Sequence, residues 1–493
     1  MNPEFIARPS PVAYNEEFGT SVALSDGVGI IGAINDAPGP GAAYIFAVDG
    51  AGTTQRAKLT PSDSRVFDSF GRAVGIDGNY ALVGAPGAGA QGRGQAYIFA
   101  WDGASWSEQA LLTASDGSPW GEFGYSVAIH ANAAIVGANG AAYVFRRTGT
   151  TWTEEAKLTE SPAPAGGSLF GRSVSLHEDR AVVGNRSGAA SQSPGVAYVF
   201  HTDGTAWILE ATLAPSDPVA RDHFGAAVAI DGNYLVVGAP GATSSGRADV
   251  GAAYVFERVG LTWQQQRRLE PSDTHSVNDF GEAVALRGDY LVVGDPTQHQ
   301  PVAGTGAAYV YRRNGTNWTL MPPRIVPSDA GTDFDDLFAY FGQAVAVSRF
   351  GVLVGAPGNT DTEREQGAAY FYPLPVDLSS VIVPLDFALF VNILFGLIGG
   401  GGGVVVQPGS GPKPVDPEPF RQWQALPASK RELIMGMALT ELMSFIDDSE
   451  ARQLVKQAGQ ALTTKAAARI ATTKKVNIEK KIDKKRGLNP RST

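Results

Sequence analysis

Of the nine Phe-Gly dipeptides in the chain, seven, at Phe18, Phe70, Phe123, Phe170, Phe224, Phe280 and Phe341, recur at intervals of 47 to 61 residues, each followed within three residues of its Gly by Val. A second signature keeps step with it: A-A-Y-I-F at 42, Q-A-Y-I-F at 95, A-A-Y-V-F at 141, V-A-Y-V-F at 196, A-A-Y-V-F at 252, A-A-Y-V-Y at 307 and A-A-Y-F-Y at 368. Two signatures repeating in phase restrict the chain to a repeat architecture, because each unit is one supersecondary element that needs its neighbours to cover it.

Each unit reads as four strands. A short V-A-[IL] segment follows Phe-Gly; then come a tight turn such as D-G-N, a second strand of the L-V-V-G type, the Ala-Tyr strand, and a fourth strand from Trp to Leu. In that fourth strand Trp106 and Leu112, Trp152 and Leu158, Trp207 and Leu213, and Trp263 and Leu269 stand six apart. An even spacing puts both members of each pair on one face of a regular strand. Four-stranded units repeated radially make a β-propeller, which leaves only short edges unpaired. The expected fold is therefore an all-β seven-bladed propeller. The seventh unit lacks a Trp-to-Leu strand, and E-F-I-A-R-P-S-P-V-A-Y-N-E-E-F at 4–18 aligns without a gap to E-A-T-L-A-P-S-D-P-V-A-R-D-H-F at 210–224. Residues 4–9 are thus expected to complete the seventh blade.

Phe-Gly followed by Gly-Ala-Pro, as at Gly84-Ala85-Pro86, Gly238-Ala239-Pro240 and Gly355-Ala356-Pro357, resembles the FG-GAP repeat of integrin α-subunit propellers and their bacterial relatives. The P-S-D at 61, 215, 271 and 327 looks most like the bacterial form. The resemblance covers about residues 1–373 and implies a binding or adhesion role at a cell surface or outside the cell, although the opening M-N-P-E-F-I-A-R-P-S has neither the basic nor the apolar region of a signal peptide. The integrin type often carries a D-x-D-x-D-G calcium loop between the first two strands. Here those hairpins are I-D-G-N-Y at 76 and 230, I-H-A-N-A at 129, L-H-E-D-R at 176 and V-S-R-F-G at 347, none with three acids, so calcium binding is not carried over and no cofactor is expected. The one acidic cluster, Asp329, Asp333, Asp335 and Asp336, is a weak metal candidate beside the simpler reading of a solvated loop.

The chain has no Cys, which excludes disulfides, thiolate metal sites and Cys nucleophiles. Only six His occur, none in H-E-x-x-H or beside G-x-S-x-G. A non-catalytic binding role is expected; a structural subunit of a larger particle is the alternative, and a propeller hydrolase or lyase, with groups converging from several blades, the second. The loops from strand four to the next strand one, and from strand two to three, share one face of a propeller and carry the length variation. That loop face is the expected site for a protein or glycan ligand, bearing Phe67, Arg93, Trp120, His223, Arg247, His275, His299 and Tyr340. His130 and His177 fall in hairpins on the opposite face.

Charge divides the chain. Residues 409–493 hold 16 Lys and Arg against 9 Asp and Glu, whereas the first 408 hold 23 against 40, a net of −17 that argues against nucleic acid as a partner of the propeller. After 1–375 the composition changes. Residues 376–406 are apolar and Gly-rich, and are expected to dock on protein or to enter a membrane. A Pro-rich linker, 407–427, leads to an amphipathic helical hairpin, 428–473, opened by a Ser429/Glu432 capping box and expected to bind an assembly partner. A basic tail at 474–493, charged from Lys474 to Arg491, suits an anionic surface.

One motif is ambiguous by itself. Arg287-Gly288-Asp289 spells an adhesive tripeptide, yet A-V-A-L-R-G-D-Y-L-V-V-G at 283–294 aligns with A-V-A-I-D-G-N-Y-L-V-V-G at 227–238. The tripeptide fills a hairpin slot that selects for residues tolerating positive φ, so a turn is expected.

Overall fold

The computed structural model describes residues 5–10, 16–35, 39–49, 52–160, 169–186, 193–243, 249–271, 279–297, 305–328, 339–359 and 366–374. The expectations for 376–493 lie outside these residues. Among those described, 28 strands, numbered here in chain order, form seven antiparallel four-stranded sheets. The first blade is β2 (Phe18–Ser25), β3 (Val28–Ala33), β4 (Ala42–Asp49) and β5 (Gly52–Leu59), paired in sequence order.

The seventh blade departs from sequence order as the alignment of 4–18 predicts. Its sheet runs β1 (Phe5–Ala7), β28 (Ala368–Pro373), β27 (Gly351–Ala356), β26 (Ala344–Val347), with Ile6 opposite Tyr370. The N-terminal strand closes the ring through main-chain hydrogen bonds.

The two signatures meet in the core. The Phe of each of the seven repeats is almost fully buried and packs against the Tyr of the Ala-Tyr strand with ring centroids 5.1 to 5.5 Å apart, edge-on in six blades and tilted at 57° in blade four. Such pairs add about 0.5–1.5 kcal/mol to the burial of the rings. The two glycines act between blades. In blade two the Gly71 N–H donates to the Gly84 carbonyl at 3.0 Å. The Cα of Gly84 in turn backs onto the carbonyl oxygen of Gly124 in blade three, so that a Cβ there would overlap it. The same approach recurs at Gly32, Gly137, Gly184, Gly238, Gly294 and, across the closure, from Gly355 to Gly19.

The expectation that each Trp–Leu pair shares a face is overturned. Between β8 (Gln95–Trp101) and β9 (Trp106–Leu112) the register shifts: Phe99 faces Glu108 while Ile98 faces Ala110, leaving Gln109 as an extra residue. Five blades carry this bulge. One extra residue reverses the alternation, so Trp106 packs with Phe70 and Tyr97 of its own blade whereas Leu112 packs with Phe123 and Tyr143 of the next. The bulged residue also gains a role: Gln109, Glu155 and Glu210 each accept a hydrogen bond at 3.2 Å from the indole N–H of the following blade's Trp152, Trp207 and Trp263.

The P-S-D segments are blade staples too. The Asp63 carboxylate accepts from the Tyr97 hydroxyl of the next blade at 2.7 Å, and Ser62 donates through its N–H and its hydroxyl to Glu108, both at 2.9 Å. Ser115-Asp116 bridges its neighbour in the same way, and at Ser216-Asp217 the Ser216 N–H donates to Gln265 while its hydroxyl accepts from the Gln265 amide and Asp217 accepts from Tyr254.

Gly84→Ala, which leaves every side chain in place, is expected to cost roughly 3 kcal/mol or more through the collision with the Gly124 carbonyl. The control Gly78→Ala, at a turn glycine with nothing within 4 Å of its Cβ position, is expected to cost about 1 kcal/mol. Urea denaturation of the two variants checks this.

Candidate functional site

Main-chain hydrogen bonds bring the two families of long loops together. Trp120 N–H donates to the Gln91 carbonyl at 2.9 Å, Glu122 N–H to Gly92 at 3.3 Å and Phe123 N–H to Arg93 at 3.0 Å, while Gly87 N–H donates to Asp68 at 3.0 Å. The segment from Pro86 to Gly94 is thereby held between Phe67 on one side and Trp120 on the other. Phe67 is 87% exposed and Trp120 73%, with the Trp120 ring resting against Gly92 and Arg93 exposed between them. Both aromatics have positive φ, 74° and 61°, which bulky residues rarely adopt. Both stand three residues before the Phe of the repeat, as does Arg221 in blade five with φ 71°.

Nearer the axis, a turn built on Phe-Gly repeats around the ring. The residue before Phe has positive φ in Glu17, Ser69, Glu122, His223 and Tyr340, and its carbonyl accepts the N–H of the residue after Gly, as from Arg72 to Ser69 at 3.1 Å and from Gln343 to Tyr340 at 3.0 Å. His223 and Tyr340 therefore occupy equivalent places in blades five and seven. The residues after Gly form an inner set that sequence reasoning missed. The Arg72 and Arg172 guanidiniums lie 4.6 and 4.0 Å from the Tyr125 ring centroid, Arg72 donates to the Tyr125 hydroxyl at 2.7 Å, and Arg172 pairs with Glu122 at 2.6 Å. In blade six the same position is Glu282, 3.7 Å from Arg186. Blades two and four thus present cations on either side of the blade-three Tyr125, and blade six presents an acid. Burial pushes the Glu282 carboxyl up, against the pull of Arg186, and holds the His223 imidazole below its ordinary value, with Arg186 acting in the same direction.

Blade six departs from the repeat. Where five blades carry Ala in Gly-Ala, it carries Asp295, fully buried. Its Oδ1 accepts the Asp279 N–H at 3.2 Å, and its Oδ2 has no partner among the described residues. Burial pushes its carboxyl up to about 7, and the carboxylate of Asp279 adds to the rise.

On the opposite face the hairpin residues form a belt. His130 and His177 stack with ring centroids 4.6 Å apart, and His177 Nε2 donates to Asp231 at 3.2 Å while its Nδ1 accepts the Gly232 N–H. Arg287-Gly288-Asp289 is a hairpin turn, with Gly288 at φ 57° as Gly232 is at 58°; Arg287 pairs with Asp231 at 3.3 Å and Asp289 with Arg313.

The repeat unit, its two glycines and its buried Phe are now defined by position. The family model for the FG-GAP repeat matches residues 8–46, 53–99, 106–145, 152–200, 207–256, 263–311 and 323–372. The chain belongs to the FG-GAP repeat family. A search of curated proteins finds no match. Two similar solved structures are a chain from the crystal structure of a mitotic checkpoint complex, at 11% identity with a TM-score of 0.45 over 76% of this chain and 94% of that one, and a protein from Lactobacillus plantarum, at 15% identity with a TM-score of 0.42 over 67% of this chain and 95% of that one.

Of the residues predicted for the loop face of this FG-GAP propeller, Phe67, Arg93 and Trp120 come together around one loop, and His223 and Tyr340 lie in the Phe-Gly turns. Arg247, His275 and His299 lie outside the described residues, as do Asp329, Asp333, Asp335 and Asp336. Among the described residues no group of three or more His, Asp or Glu could hold a metal ion, and no helix is long and apolar enough to cross a membrane. Arg221 and Glu122 were missed, although counting back from each Phe would have found them.

Asp295 gives this FG-GAP ring a pH dependence of known sign. Between its ordinary value of 3.8 and its folded value of about 7, the folded state holds a proton that the unfolded state releases. Stability therefore falls as pH rises through that window, by on the order of 4 kcal/mol. Asp295→Ala, which restores the residue of the other blades, is expected to raise Tm at pH 8 and to lose most of that advantage at pH 5; thermal unfolding at both pH values measures it.

Proposed function

We propose that the protein is a non-catalytic binding module whose loop face takes a protein or glycan ligand, with the chain beyond residue 375 tethering the propeller to a surface or assembly. The observation that carries this reading is the pair Phe67 and Trp120. Two large aromatics stand largely in solvent, on backbone held by hydrogen bonds on both sides of one loop. Leaving them there gives up the roughly 1.5–3 kcal/mol that burying each would contribute, and their positive φ adds strain. A rigid, exposed aromatic surface is the arrangement that lowers the entropy cost of binding, and aromatic faces stack on sugar rings as readily as on protein side chains.

Arg93 between them, and Arg221 in the blade-five place that Phe67 and Trp120 hold in blades two and three, supply hydrogen-bond donors. Closer to the axis, Arg72 and Arg172 on Tyr125, facing Glu282, offer both signs of charge to groups that reach the mouth of the ring. The tether follows from composition: beyond an apolar stretch and a Pro-rich spacer, the two amphipathic segments, about 45 residues, are too small for a secure independent core and call for a surface to pack on.

A Phe67→Ala/Trp120→Ala double variant is expected to retain the wild-type Tm, since both side chains are exposed, and to lose tenfold or more in affinity for whichever ligand a glycan array or a panel of matrix proteins identifies. Wild-type affinity in that folded variant would sink the assignment of the loop face.

A further inference from the structure

The two exposed aromatics of the loop face share their blades with unpaired cations. Phe67 and Arg72 stand five residues apart on the two sides of one Phe-Gly turn, and Trp120 and Tyr125 stand five apart on the two sides of the next. Blades two and three therefore place a large ring outside the turn and a polar group nearer the axis. Arg93 is exposed on the loop between the two rings, and its guanidinium has neither a hydrogen bond nor a carboxylate partner among the described residues. The six-membered half of the Trp120 indole is braced against Gly92 on that same loop.

Arg72 is held but not neutralised. Its guanidinium lies 4.6 Å from the Tyr125 ring centroid and donates to the Tyr125 hydroxyl at 2.7 Å, yet no carboxylate pairs with it among the described residues. Arg172, on the other side of Tyr125, is neutralised by Glu122 at 2.6 Å. Across the axis, Glu282 feels the Arg72 charge but has Arg186 as its neighbour at 3.7 Å. Stacking on Tyr125 removes side-chain freedom from Arg72 in advance and spends one of its five N–H donors, leaving most of the planar fork for a ligand. Two guanidiniums are thus uncompensated beside two exposed rings, in a stretch of 408 residues that carries a net −17.

We infer that the loop face of blades two to four binds a carboxylated glycan, with uronate rings on Phe67 and Trp120 and their carboxylates on Arg93 and Arg72. This rests on the loop-face reading above and names the chemistry of its ligand. A uronate carries its carboxylate on the carbon next to the ring oxygen, so a sugar stacked on an aromatic brings its charge to a guanidinium beside that aromatic. The fork of an arginine matches a carboxylate with two parallel hydrogen bonds. In an acidic peptide the carboxylate rides on a flexible chain with no ring of its own to stack. Asp279 and Glu282 on the blade-six side repel an anion and confine it to the sector of Arg72 and Arg93.

The test is a calorimetric titration of the full-length protein, at pH 7.5 and low ionic strength, with oligomers of galacturonate, of mannuronate and of hyaluronate, each beside its methyl ester, and with poly-glutamate. At least one uronate oligomer is expected to bind saturably, its ester at least tenfold more weakly, and poly-glutamate at least tenfold more weakly too. Arg93→Gln, at an exposed side chain, should keep the wild-type Tm, lose tenfold or more for the uronate and leave the ester unchanged; Arg72→Gln should weaken uronate binding in the same selective way. Phe67→Ala/Trp120→Ala should lose acid and ester alike. Binding of none of the three uronates, equal binding of acid and ester, poly-glutamate binding as tightly as the uronate, or wild-type uronate affinity in Arg93→Gln would each overturn the inference. Equal binding of acid and ester that still disappears in Phe67→Ala/Trp120→Ala would do so while leaving the loop-face reading intact, whereas wild-type uronate affinity in that double variant would overturn both.

Discussion

The ring depends on one contact made seven times: the α-carbon of a strand-two glycine pressed against the carbonyl oxygen of the next blade's Phe-Gly turn. No side chain can stand in that gap. Because the contact is backbone to backbone, it fixes the separation of neighbouring sheets at the axis whatever residues decorate them. The buried Phe beside the turn glycine then sets the wedge farther out, packed against its Tyr. Blades of quite different surface composition consequently pack with nearly the same internal geometry, and the loops can vary without disturbing the frame.

The frame was legible in the sequence for that reason. A contact that admits only glycine and a knob that must be a large ring leave a signature at every turn of the repeat, and seven copies in phase determine blade number, strand order and the exchange of the N-terminal strand. What was misjudged was the fourth strand, where Trp106 and Leu112 face opposite ways. A bulge adds a residue without adding a distinctive one: Gln109, Glu155 and Glu210 look like ordinary solvent-facing polar residues, and their bonds to the next blade's Trp appear only once the blades are side by side. The Ser and Asp of P-S-D were visible as a motif but silent as to purpose, for the same reason.

The candidate sites were legible in part. Phe67 and Trp120 stood out as large aromatics in loops that otherwise hold small and polar residues. That they flank one loop depends on hydrogen bonds between main-chain atoms, which leave no mark on side-chain identity. Arg72, Tyr125 and Arg172 each follow a Phe-Gly at intervals of about fifty residues, and only closure of the ring makes them neighbours. Asp295 was in plain view as Gly-Asp-Pro where blades two, five and seven read Gly-Ala-Pro; its cost was not, because it arises from the apolar packing around that position.

Closure by β1 has a consequence for how the molecule is made. Its partner strand, β28, is more than 360 residues away along the chain, so β1 is synthesised well before its partner and is among the last strands of the ring to find its place. Until then blade seven presents an open edge whose complement is tethered at the other end of the same molecule. Two chains emerging side by side could each donate that strand to the other, forming an exchanged pair with every native hydrogen bond intact. The short length of β1, three residues, limits what such an exchange gains, and it leaves the intramolecular pairing favoured by the seven-bladed frame that has already formed around it.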